Sequence, residues 1–195
     1  MAFTPAPGEQ FTVRRKVLKI LGAAFHVYDE SGNVVAYCQQ KAFKLREDIR
    51  LYTDETKTEE LLTMKAQSII DFGVTFAITL PSGETIGSLR RKGMKSMFRD
   101  SWLLYSPDGT EIATMQEDSG ALAILRRLHE AFAILSPQKF QITKADGTHV
   151  ATLRTHFNLF VYRLGVTVHV EDDEVDELMV LAAACLIAAI EGRQG

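Results

Sequence analysis

Little in this sequence advertises a chemistry. It has two cysteines, and Cys38 and Cys185 lie far apart, neither in a CxxC nor beside a histidine at zinc-ligand spacing. That excludes a disulfide scaffold and the common zinc modules. Cys185 sits inside an apolar run and reads as a small buried hydrophobe. Cations are not in excess: 22 lysines and arginines face 25 acids, for a formal charge of −3, so the chain is no dedicated nucleic-acid binder. The opening MAFTPAPGEQFTVRRKVLKI has no apolar core followed by a small-residue cleavage site, which predicts no signal peptide and a reducing, cytoplasmic setting. No stretch rich in Pro, Gly or Ser divides the chain. One domain over residues 1–195 is expected, and a chain this long buries roughly 70% of its unfolded surface.

What is present is a repeat. FHVYDESGNVVA from Phe25, FAITLPSGETIG from Phe76, WLLYSPDGTEIA from Trp102 and FQITKADGTHVA from Phe140 align without a gap. Each has an aromatic, an aliphatic two residues on (Val27, Ile78, Leu104, Ile142) and a glycine seven residues after the aromatic. A β-branched residue (Val35, Ile86, Ile112, Val150) then precedes Ala or Gly. The two-residue spacing puts aromatic and aliphatic on one face of a strand, and the glycine supplies the positive φ of a tight reversal, so each unit is a β-hairpin. FTVRRKVLKI, DIRLYTD, ELLTMKA and VYRLGVTVHV also have strand character. In the last, Leu164, Val166, Val168 and Val170 alternate with polar or small residues. The sum is about twelve strands, a mainly β protein.

Two segments break the rhythm. SGALAILRRLHEAFAIL, residues 119–135, spaces Leu122, Leu125, Leu128, His129 and Phe132 as one helical face, and Ser136-Pro137 stops it. Its Arg126 and Arg127 are expected to snorkel or to pair with acids such as Glu117. LMVLAAACLIAAI, residues 178–190, has no polar side chain at all. Thirteen residues give about 20 Å of helix against about 30 Å of bilayer hydrocarbon, too short to span. A helix apolar all round is a buried one. Its alanines make it slender, and the acids Asp172 to Glu177 before it suit a helix N-terminus. The expected architecture is a closed antiparallel barrel wrapped around this helix.

These segments resemble the Tubby C2-like superfamily, which includes the LURP-one-related proteins and the phospholipid scramblases. The stretch from Phe11 to Asp54 is similar to the opening of the LURP-one-related pattern. MKAQSIIDFGVTFAITLPSGETIGSLRRKGMKSMFRDSW and GTEIATMQEDS resemble bacterial members, and ACLIAAIE the scramblase terminal helix. The resemblance implies a twelve-stranded barrel around a C-terminal helix, and roles such as phosphoinositide binding or Ca²⁺-dependent lipid movement. The cysteine-rich palmitoylation stretch of scramblases is absent. VEDDEVDEL stands where scramblases bind Ca²⁺, but it lacks the glycine and ligand spacing of a compact Ca²⁺ loop, so helix capping is the expected role.

The leading candidate site is LRRKGMKSMFRD, where Arg90, Arg91, Lys92, Lys95 and Arg99 surround Met94, Met97 and Phe98. Cations flanking apolar residues suit an anionic membrane surface, at about 1 kcal/mol per Lys or Arg. The competing reading is a hairpin loop whose Met and Phe plug one barrel end while the charges face water. Arg14, Arg15, Lys16 and Lys19 extend the patch if the first strand lies nearby; otherwise they protect an edge. The spacing of His26, His129, His149, His156 and His169 suggests no metal site, GMKS is no phosphate loop, and no nucleophile elbow or paired carboxylates announce catalysis. The expectation is a non-enzymatic protein with no cofactor or metal, docking peripherally on anionic phospholipid head groups. The alternative is a soluble scaffold or regulator that binds a protein partner, and lipid scrambling ranks third.

Overall fold

The four repeated hairpins are built alike down to their hydrogen bonds. In the computed structural model, which describes residues 4–15, 23–40, 48–70, 73–92, 101–118, 137–156 and 161–191, Gly32, Gly83, Gly109 and Gly147 have φ between 82° and 90°. Each glycine N–H donates to the carbonyl three residues back, that of Asp29, Leu80, Ser106 or Lys144, at 2.9–3.0 Å. This is the turn-plus-bulge closure that a left-handed glycine permits.

The strands are β1 (Phe11–Arg15), β2 (Ala23–Asp29), β3 (Val34–Gln40), β4 (Ile49–Tyr52), β5 (Glu60–Ile70), β6 (Gly73–Thr79), β7 (Thr85–Arg91), β8 (Ser101–Tyr105), β9 (Glu111–Glu117), β10 (Lys139–Lys144), β11 (His149–Thr155) and β12 (Arg163–Val168). Each pairs antiparallel with its sequence neighbours, and β1 closes on β12 to complete a barrel. A helix, α1 (Glu177–Glu191), follows. Twelve strands about 4.8 Å apart and tilted by about 40° enclose a space roughly 20–25 Å across, which admits one helix of about 10 Å.

The repeat explains how the wall and the helix fit. Phe25, Phe76, Trp102 and Phe140 point inward, as do Val27, Ile78, Leu104 and Ile142. A register shift follows each aliphatic, and across the hairpin the aliphatics face Ala36, Gly87, Ala113 and Ala151. The small residue ending each repeat is therefore an inward position, which leaves room for α1. From Met179 to Ala189 every residue of α1 is buried. The helix lies closest to β12, β1 and β2 on one side and β7 on the other.

Asp176 caps α1, its carboxylate accepting from the N–H of Met179 at 2.7 Å, and Asp172 accepts from Glu174 and Val175 at 3.0 and 2.9 Å. One expectation needs correction: Val170 is not a fourth inward residue of the last strand. Strand β12 ends at Val168, where the chain departs toward α1, and Val170 is 45% exposed. The predicted helix over 119–135, including Arg126 and Arg127, lies outside the described residues.

Candidate functional site

An up-and-down barrel sends the connections after odd-numbered strands to one rim and those after even-numbered strands to the other. The rim after the even strands is acidic. Each of its five turns carries a carboxylate, at Glu30, Asp54, Glu84, Asp108 and Asp146, and the approach to α1 adds Asp172 and its neighbours. Several of these acids hold the turns together. Asp54, Asp108 and Asp146 accept from the N–H two residues on, that of Thr56, Thr110 or Thr148, at 2.7–3.0 Å. The Thr56 hydroxyl first and then its N–H hold Asp54 below the usual range, the Ser106 hydroxyl first and then the Thr110 N–H hold Asp108 there, and the Thr148 N–H leads for Asp146. Asp172 is held down first by Lys144, whose ammonium lies 2.7 Å from it and 2.8 Å from Glu174, and then by the N–H groups it caps.

On the opposite rim, which also holds Asp48, Glu117 and Asp118, cations outnumber acids among the described residues. Arg14 and Arg15 end β1, Arg90 and Arg91 end β7, Lys92 follows, and Arg154 and Arg163 lie near the same ends of β11 and β12. This polarity matches α1, which enters at the acidic rim and reaches the cationic one with no basic residue in its own last turn. Acids stabilise the positive N-terminal end of a helix and cations its negative end.

Within the rim the sequence-predicted residues separate. Arg91 and Lys92 are exposed, while Arg14, Arg15 and Arg90 are half-buried. Arg90 pairs with Leu103 on the outer face, and Arg91 shares the inner face with Trp102. Lys92 donates its amide to Ser101 O at 2.9 Å, which pins the two ends of the 93–100 connection together. Lys95, Arg99, Met94, Met97 and Phe98 belong to that connection and lie outside the described residues, as do Lys16 and Lys19.

The two basic clusters do not form one patch on the wall. Strands β1 and β7 are six places apart whichever way the barrel is followed, so Arg14 and Arg15 stand on the opposite wall from Arg90 and Arg91. Arg50 is taken up by Asp48 and Glu60, each at 2.9 Å, and those carboxylates raise its proton affinity.

Sequence spacing missed three associations. Cys185 shares a hydrogen bond with Cys38 inside the barrel, and that bond together with complete burial pushes its thiol well above the ordinary value. Glu9 lies buried on the outer wall, with His156 Nε2 at 2.6 Å and the Thr12 hydroxyl at 3.0 Å. His26 Nε2 meets Glu55 at 2.6 Å. The only sequence sign of the second is Gly165, an outer position kept free of a side chain where Glu9 rests. A polar groove of about 210 Å³ lined by Thr114, Gln116, Asp118, Gln141 and Thr143 marks the outer wall at β9 and β10. Among the described residues no helix is long and apolar enough to cross a membrane.

The sequence matches the model of a family described as LURP-one-related over residues 35–188. The fold is similar to an X-ray structure of a protein from Arabidopsis thaliana, with a TM-score of 0.51 and 10% identity, covering 98% of this chain and 99% of that one. No curated protein matches.

Proposed function

The chain belongs to the LURP-one-related family, and from that premise we propose that it is a non-enzymatic binding protein that docks on anionic phospholipid head groups by its cationic rim. The observation that carries this reading is the segregation of charge along the barrel axis. A chain of net charge −3 is repelled by an anionic surface unless it presents one face selectively. With carboxylates in every turn of one rim and Arg91 and Lys92 exposed at the other, approach to an anionic bilayer is favourable in one orientation. The Met94, Met97 and Phe98 side chains of the connection joined to Lys92 would supply the apolar contact. The β7–β8 side would lead, since Arg14 and Arg15 stand on the far wall.

Sedimentation with vesicles tests this. The wild-type chain is expected to pellet with phosphatidylserine vesicles at low salt and not with phosphatidylcholine, and to be released toward about 1 M salt, where charges are screened within about 3 Å. The Arg91→Glu, Lys92→Glu, Lys95→Glu variant should stay in solution. Failure of the wild type to bind at low salt would end the proposal and leave a protein partner as the remaining binding class.

A further inference from the structure

His149 and His169, which the sequence spacing does not connect, meet on the outer wall at the acidic rim. His149 opens β11, and His169 follows β12 with its amide donating to Val150 O at 2.7 Å. Their ring centroids are 4.4 Å apart and the planes are tilted by 42°. Both Nε2 atoms converge on the Thr152 hydroxyl, at 3.1 and 2.9 Å, and His149 Nε2 also lies 3.1 Å from Ala151 O. One proton arrangement that satisfies all three contacts has His149 Nε2–H shared between Ala151 O and the Thr152 oxygen, while the Thr152 hydroxyl donates to His169 Nε2.

With the His149 proton moved to Nδ1, both Nε2 atoms carry lone pairs, each within 3.1 Å of the Thr152 hydroxyl oxygen. We propose that His149 and His169 form a two-histidine site for a divalent transition-metal ion of the copper, nickel or zinc type, with Thr152 fixing the angle between the rings and water completing the coordination. Imidazole nitrogen selects these ions over Ca²⁺ and Mg²⁺, which take oxygen. The site is accessible, with His169 exposed and His149 half-buried.

Asp146 and Glu171 flank the two histidines in sequence at the carboxylate-rich rim. Burial, then the positive charges of His149 and Lys139, lower the proton affinity of His169, so binding would rest on imidazole ligation and not on long-range attraction of a cation. Among the described residues no group of three or more His, Cys, Asp or Glu could hold an ion, so the metal would keep open, exchangeable positions.

Titration of the untagged chain with Cu²⁺ at about pH 7.5, followed by calorimetry and electron paramagnetic resonance, tests the site. One ion per chain is expected, with nitrogen hyperfine structure from two imidazoles. His149→Ala and His169→Ala should each weaken binding at least tenfold, since losing even a partner behind a ligand costs about 10–100-fold. His169→Gln keeps an amide that can meet Thr152 and should fail equally, which separates ligation from folding. His26→Ala, whose ring meets Glu55, should bind as wild type does. Absence of binding, or undiminished binding in the His149→Ala, His169→Ala double variant, would overturn the site.

Discussion

Gly87 on β7 lies directly beneath Met179 in the first turn of α1: a Cβ at this position would overlap the Met179 methyl and come within 2.5 Å of Tyr105 O. The Met179 side chain can swing away, but the Tyr105 carbonyl belongs to the barrel wall. Gly87→Ala should therefore destabilise the protein by about 1–3 kcal/mol, the usual cost of overpacking. A lowered urea midpoint with an unchanged slope checks this. The reverse change, Ala to Gly, at Ala36, Ala113 or Ala151 opens space instead and tests the converse.

The helix is the filling of the barrel, so its removal should be far more damaging than any wall substitution. Burying Met179, Val180, Leu181, Leu186 and Ile187 contributes about 1.5–3 kcal/mol each, together on the scale of the whole stability margin of about 5–15 kcal/mol. Truncation after Asp173 should leave an aggregated or unfolded chain by circular dichroism and size-exclusion chromatography. A monomer with native β signal would contradict this.

Cys38 and Cys185 are both buried and share a hydrogen bond. Neither should react with a thiol reagent in the native state, and both should react once denaturant unfolds the barrel, because the thiolate is the nucleophile and burial suppresses it. A thiol labelled at the rate of free cysteine under native conditions would mean that the helix is not enclosed.

Glu9 gives the account a pH dependence. Burial raises its pKa, but the hydrogen bond and charge of His156, the Thr12 hydroxyl and the Ala6 N–H outweigh that and hold it below its ordinary 4.5. A carboxyl depressed by folding lends stability that is whole above its unfolded value and fades as pH falls through its folded one. Stability should thus decline below about pH 4.5, and Glu9→Gln should flatten that decline. Gly165→Ala, whose Cβ would overlap the Glu9 carboxylate, should remove the same term at neutral pH, at about 1.5–3 kcal/mol for a charge-assisted bond.

The parts of the fold that repeat were legible because each hairpin states its own geometry locally. Phe25, Val27 and Gly32 set face and turn within a few residues, and the same spacing at Phe76, Trp102 and Phe140 turned one weak signal into an architecture. The enclosed helix was legible for a different reason: a run with no polar side chain and too short for a bilayer has nowhere else to go. Associations made by ring closure were not legible. Glu9 and His156 meet only because β1 closes on β12, and Cys38 and Cys185 only because α1 returns through the centre, so their sequence separation says nothing of their distance; His149 and His169 meet across the β11–β12 pairing, whose register the sequence does not state. The ring also set the basic clusters on opposite walls, which neither cluster's composition reveals.

Docking by the cationic rim is directional, and equal charge reversals at two places test that most directly. Arg91→Glu with Lys92→Glu alters the cationic rim, while Lys57→Glu with Lys65→Glu makes the same net change at exposed positions on the acidic rim and the mid-wall. In sedimentation with phosphatidylserine vesicles the first pair should weaken binding about 30-fold or more, from about 1 kcal/mol per basic residue, and the second should bind nearly as the wild type does. Equal loss in both variants would show that attraction follows net charge alone and contradict a docking rim.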